Sequence, residues 1–99
     1  MLNGMKIVIE GNEFEVKCTL KMLIYFEDVT ENRPYRGGYK DNCLLFWLCV
    51  KVNNEKFSMD YEPFLDFLDK NVWLLSDFLE MFAEWGTRKD KSKKKAVKD

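Results

Sequence analysis

Apolar residues in this chain follow three rhythms. Residues 5–18 alternate, with Met5, Ile7, Ile9, Phe14, Val16 and Cys18 separated by mostly charged neighbours, which is the period-2 pattern of a half-buried hairpin. Residues 44–52, LLFWLCVKV, are apolar at every position but Lys51. From residue 60 onward the apolar positions recur every three or four residues, the helical period.

Each rhythm predicts an element. A two-residue turn at Gly11-Asn12 would set Ile9 against Phe14, Ile7 against Val16 and Met5 against Cys18, all on one face. Lys6, Val8, Glu10, Glu13, Glu15 and Lys17 then share the other face. Two strands alone are marginal, so the apolar face must rest on helices or on another chain. Thr19 is placed to cap a helix over 19–31, with a stripe of Met22, Tyr25, Phe26 and Val29 widened by Leu20 and Leu23. Pro34 and Gly37-Gly38 mark 31–41 as a loop, after which Asp41 or Asn42 is placed to cap a helix over 42–53.

The run at 44–52 is too short for a bilayer, which needs about 20 apolar residues, so protein must cover it. Leucine, phenylalanine and tryptophan dominate it and no hairpin partner is adjacent, which favours a helix. The alternative is a strand with Leu44, Phe46, Leu48, Val50 and Val52 on one face. Asp60 is a suitable cap for a helix over 60–70 that buries Tyr61, Phe64, Leu65 and Leu68, with Met59 stapled onto Phe64. A last helix over 72–85 carries Leu75, Phe78, Leu79 and Phe82, and Gly86 stands where a C-terminal cap is expected. The expected fold class is α+β: an N-terminal β-hairpin packed on a small bundle of about four helices, with 44–52 as the central helix the others wrap.

Composition adds boundaries and exclusions. With 99 residues, 46% hydrophobic and 15% aromatic, the chain suits one globular domain, placed at residues 1–87. The net charge is −1, and the seven basic and two acidic residues from Arg88 onward carry +5 of it, leaving −6 on residues 1–87. Residues 88–99 therefore read as a basic, disordered tail. Cys18, Cys43 and Cys49 lack CxxC spacing, which argues against a disulfide framework or zinc site and for a reducing cytoplasm. The N-terminus shows no export signal, and no membrane association is expected.

The chain has no histidine, so a Cys-His or Ser-His nucleophile pair is impossible. Glu27-Asp28, Asp66-Asp69 and Asp77-Glu80 fall away from the apolar stripes and read as solvated surface. Asp69, Asn71 and Glu80 match three positions of an EF-hand loop, but Trp73 and Leu74 stand where an oxygen ligand and a glycine are required. Gly37-Gly38-Tyr39-Lys40 lacks phosphate-loop spacing. No cofactor and no enzymatic activity are expected. Phe67, Trp73, Met81 and Trp85 lie outside or at the end of the stripes and are the candidate protein-binding residues. An alternative function is a small nucleic-acid-associated or regulatory module using Arg33, Tyr35, Arg36, Tyr39 and Lys40 with the basic tail. The acidic body disfavours it.

The opening KIVIEGNEFEVKCT, running directly into LKMLIYFEDVTE with its Phe26, Glu27 and Thr30 patch, resembles the start of small tail assembly chaperones of tailed phages and prophages. The later DYEPFLDFLDKN, followed by a second helix and a polar tail, is similar to their second half. The resemblance implies a non-enzymatic role in the bacterial cytoplasm: holding a long, apolar tape-measure client soluble during tail assembly. The apolar excess adds self-association as a separate expectation. The apolar run and the tryptophan-rich last helix depart from the family pattern, so no binding residue is carried over.

Overall fold

The computed structural model describes residues 4–98, with side chains through Thr87. The alternating segment forms an antiparallel hairpin of β1 (Gly4–Ile9) and β2 (Asn12–Lys17). Its pairs are Met5 with Val16, Ile7 with Phe14 and Ile9 with Asn12, so the turn is Glu10-Gly11 and the ladder is displaced by two residues from the expected register. Turn chemistry accounts for the correction. Glu10 and Gly11 have φ of 52° and 81°, the two positive values of a type I′ turn, in which glycine is favoured at the second position. A displacement of two leaves every side chain on its own face. Ile7, Ile9, Val16 and Cys18 are accordingly buried, and Met5 and Phe14 lie against the core.

The outer edge of β2 is closed by side chains. The Glu15 amide donates to Asn54 Oδ1 (3.0 Å) and Asn54 Nδ2 donates to the Glu15 carbonyl (2.7 Å), so one asparagine substitutes for a residue of a third strand. Asn53 Nδ2 donates to the Lys17 carbonyl (2.9 Å). A two-stranded ribbon gains in this way both edge protection and an anchor to the helical layer.

The anchoring asparagines end α2 (Gly38–Asn53), which contains the apolar run. The run is a helix, and it is central: α2 touches α1, β2, α3 and α4. Leu45, Phe46, Leu48, Cys49 and Val50 are buried in succession, so apolar surface is covered around most of the helix. Its polar positions are accommodated at the margin, where the Trp47 indole N–H donates to the Met59 carbonyl (2.9 Å) and the Lys51 ammonium sits 4.5 Å from the Trp47 ring centroid. The helix begins four residues before the expected boundary. Its N-cap is Gly37, and both Gly37 and Gly38 have φ of 87°, a conformation glycine adopts freely. Asp41 and Asn42 are therefore inside the helix rather than capping it.

The first helix, α1 (Leu20–Val29), starts where expected, with Thr19 Oγ1 accepting from the Met22 amide (3.2 Å). Its expected stripe is corrected: Met22 and Phe26 are buried, whereas Leu20, Tyr25 and Val29 are exposed. α3 (Tyr61–Lys70) buries Phe64 and Leu68 and begins after Asp60, whose side chain makes no capping bond. Asn71 alone joins it to α4, donating from Nδ2 to the Phe67 carbonyl (2.8 Å) and accepting from the Leu74 amide (2.9 Å). α4 (Val72–Lys98) runs through Gly86, so that glycine does not end the helix. The expected disordered tail falls at 88–99, outside the residues whose side chains are described.

Rings connect these elements. Phe46 of α2 stacks on Phe78 of α4 with centroids 4.5 Å apart and planes 4° from parallel. Phe64 meets Phe46 edge-on at 5.4 Å, and Phe57 and Phe14 continue the series to the hairpin. Such pairs contribute about 0.5–1.5 kcal/mol each beyond the area they bury. Replacing Phe46 by alanine is expected to cost about 3–5 kcal/mol in urea denaturation, since the ring is fully enclosed. Glu10→Asn should act in the opposite direction, raising stability by about 1 kcal/mol in the same measurement, because asparagine tolerates the left-handed conformation better than glutamate.

Candidate functional site

The last helix has more apolar surface than the core takes up. Leu74, Phe78, Met81 and Trp85 form one ridge at i, i+4, i+7 and i+11, and Leu75, Leu79, Phe82 and Gly86 form a second ridge one residue on, turned by about 100° around the axis. The first ridge enters the core: Phe78 and Met81 are fully buried. The second is only partly covered, and much of it borders an open groove of about 620 Å³ between α1 and α4.

Leu23 of α1, Tyr35 of the connecting loop, and Leu79, Phe82, Ala83 and Trp85 of α4 line this groove. Phe82 receives the Tyr35 ring edge-on at 5.2 Å, and its own ring lies parallel to Phe78 at 6.2 Å. The aromatic series of the core therefore continues into the groove wall and on to Trp85, 6.1 Å from Phe82.

The Tyr35 wall is held by the N-terminal end of α2. Asp41 is buried and accepts from Arg33 Nη2 (2.7 Å), Arg33 Nη1 (3.1 Å) and the Arg36 amide (2.8 Å). Arg33 in turn lies 5.6 Å over the Phe26 ring. The Tyr35 hydroxyl donates to Asn42 Oδ1. Two successive helical residues thus secure the loop from both sides of Pro34, and Tyr35 is placed against Phe26 and Phe82. The paired guanidinium is the largest influence holding the Asp41 carboxyl down to about 2, with the Arg36 amide acting in the same direction against burial. Burial, followed by the Asp41 charge, pushes the Tyr35 hydroxyl up.

Among the described residues lining the groove, Tyr35 is the one ionisable side chain, and its hydroxyl is engaged. The Thr87 hydroxyl donates to the Ala83 carbonyl of its own helix (2.9 Å). No group of three or more potential metal ligands occurs among the described residues. Cys18 and Cys49 are buried free thiols, and the Cys49 thiol donates to the Lys17 carbonyl (3.0 Å). Neither lines the groove. What the groove offers is apolar and aromatic surface.

Of the four expected contact residues, the structure brings only Trp85 to the groove. Met81 is corrected: it is fully buried, because its ridge is the one that faces the core. Phe67 is half-buried against Phe64, and Trp73, 58% exposed, lies by helical spacing on the far side of α4. Leu79 and Phe82, expected in the core, pack against it only partly buried and also line the groove. The doubled ridge on α4 was the signal for them. Tyr35 had no such signal, since its place depends on the Asp41 and Asn42 anchors. In the loop proposed for nucleic acid, Arg33 and Tyr35 are committed internally, leaving Arg36, Tyr39 and Lys40 exposed.

No helix among the described residues is long and apolar enough to cross a membrane. Compared with protein-family models, curated proteins and solved structures, the chain gives no match.

The Asp41 anchor has a defined pH signature. Its carboxyl is depressed from the ordinary 3.8 to about 2, so its contribution is complete above pH 3.8 and is lost as pH falls through about 2. Asp41→Asn is expected to cost about 2 kcal/mol at neutral pH, the scale of hydrogen bonds to a charged group. In urea denaturation that difference from the natural chain should shrink steadily between pH 4 and 2. A difference independent of pH would show that the anchor is not ionic.

Proposed function

We propose that this chain is a non-enzymatic binding protein of the kind its opening resembles, a tail assembly chaperone that holds an apolar segment of a larger, tape-measure-like client. The observation that carries this reading is the open groove between α1 and α4, walled by Leu23, Tyr35, Leu79, Phe82 and Trp85, with no free acid, base or nucleophile among the described residues that line it. A helix presenting two or three apolar residues per turn to such a groove buries surface at about 25 cal/mol per Å². The client is a protein that would otherwise aggregate, and the chaperone would act in the cytoplasm of a bacterial host. Self-association is compatible with the same surface, because a second copy could cover it when no client is present.

Binding is favoured over catalysis for a physical reason. Acid–base and nucleophilic catalysis need a titratable group within hydrogen-bond reach of the reacting atoms, and the groove's tyrosine is already committed to Asn42.

Ala83 is exposed on the groove wall, so Ala83→Glu should leave folding intact while placing a charge on the docking surface. In co-expression with a candidate tape-measure protein from a neighbouring gene, the natural chain should increase the client's soluble fraction and the A83E variant should not. A client equally soluble without this protein would remove the proposal.

A further inference from the structure

On α1, acidic residues follow the groove residue Leu23 toward the C-terminal end of the helix. Glu27 lies one helical turn after Leu23, and Asp28 one turn after the exposed Ile24. Both are exposed in the last turn of α1, which holds no basic residue. Carboxylates at this position meet the negative end of the helix dipole, an arrangement that opposes the helix. Exposed Glu31 follows directly. Among the described residues, ion pairs form at Lys6–Glu13 and Arg33–Asp41, and neither includes these three acids.

The apolar surface also extends past the groove. Leu20 and Ile24, 59% and 51% exposed, lie one turn apart on the flank of α1 next to Leu23. A ligand seated on Leu79 and Phe82 that reached across α1 would meet Leu23, then Leu20 and Ile24, with Glu27 and Asp28 at its end. The chain's own basic segment does not fit: among residues 88–98, only Ala96 and Val97 are apolar.

We infer that the occupant of this groove is an amphipathic helix of another protein whose apolar stripe is flanked by lysine or arginine on the side that meets the C-terminal turn of α1. The inference rests on the binding reading above and adds the chemistry of the partner. Opposite charges would neutralise Glu27 and Asp28 and set the direction in which the helix lies, while like charges at that margin would be rejected.

The test uses two helical peptides with one leucine-phenylalanine stripe, flanked by lysines in the first and by glutamates in the second. Their binding to the full chain is followed by fluorescence anisotropy at low and high ionic strength. The lysine peptide should bind about tenfold more tightly at low salt, with the gap narrowing at high salt. Glu27→Lys with Asp28→Lys should abolish or reverse the preference, while Asp77→Lys with Glu80→Lys, away from the groove on α4, should preserve it. If both double variants reduce the preference alike, the attraction is only that of net charge and the inference fails. Equal binding of the two peptides, both weakened by A83E, would overturn the charge inference and leave the binding reading standing. If neither peptide binds, the inference is overturned; if the client's solubility is also independent of this protein, the binding reading fails too.

Discussion

The structure depends on covering one helix around most of its circumference. α2 buries Leu45, Phe46, Leu48, Cys49 and Val50 within six positions, and no single partner can cover residues that point in so many directions around a helix. The hairpin, α1, α3 and α4 each supply part of the enclosure. Phe46 sits where two of those contributions meet, stacked on Phe78 and edge-on to Phe64. The ends of α2 also organise polar structure. Asp41 and Asn42 hold the preceding loop, while Asn53 and Asn54 close the edge of β2. One helix thus acts as core, loop anchor and surrogate strand.

Which features were legible from sequence follows from the kind of constraint each obeys. Side-chain parity in the hairpin was readable because alternation survives a two-residue displacement; the register was not, because it depends on whether Glu10 or Asn12 joins Gly11 in the turn. The helical state of 44–52 was readable from residue type. The start of α2 was not, since Asp41 looks locally like a cap and is instead bound to Arg33 through tertiary structure. On α1, spacing placed Tyr25 and Val29 beside Met22 and Phe26, but a ten-residue helix against a single neighbouring layer buries a narrower arc than its sequence offers.

The candidate site was partly legible for the same reason. The chain contains more aromatic and aliphatic groups than its small body encloses, and that excess was visible in composition. Its location was not. α4 presents two apolar ridges, and helical periodicity alone does not say which one meets α2. The stacking of Phe78 on Phe46 selects the ridge containing Met81, and the other ridge is thereby turned toward α1. Met81, expected at the surface, is turned into the core by that rotation, while Leu79 packs at the core's edge and faces the groove.

That rotation explains how a rigid wall and an open surface coexist. Phe82 is braced from below by Phe78, from the side by Tyr35, and along the helix by Trp85. Tyr35 is itself fixed through Asn42, next to the Arg33–Asp41 ion pair. A preformed apolar wall loses little side-chain freedom when another surface covers it, so more of the burial energy remains available for association. α1 is narrow enough to leave the wall uncovered, and exposed Glu27 follows one turn beyond Leu23. The groove is therefore the consequence of a core that encloses Phe78 and Met81 of α4 and leaves Leu79, Phe82 and Trp85 partly covered.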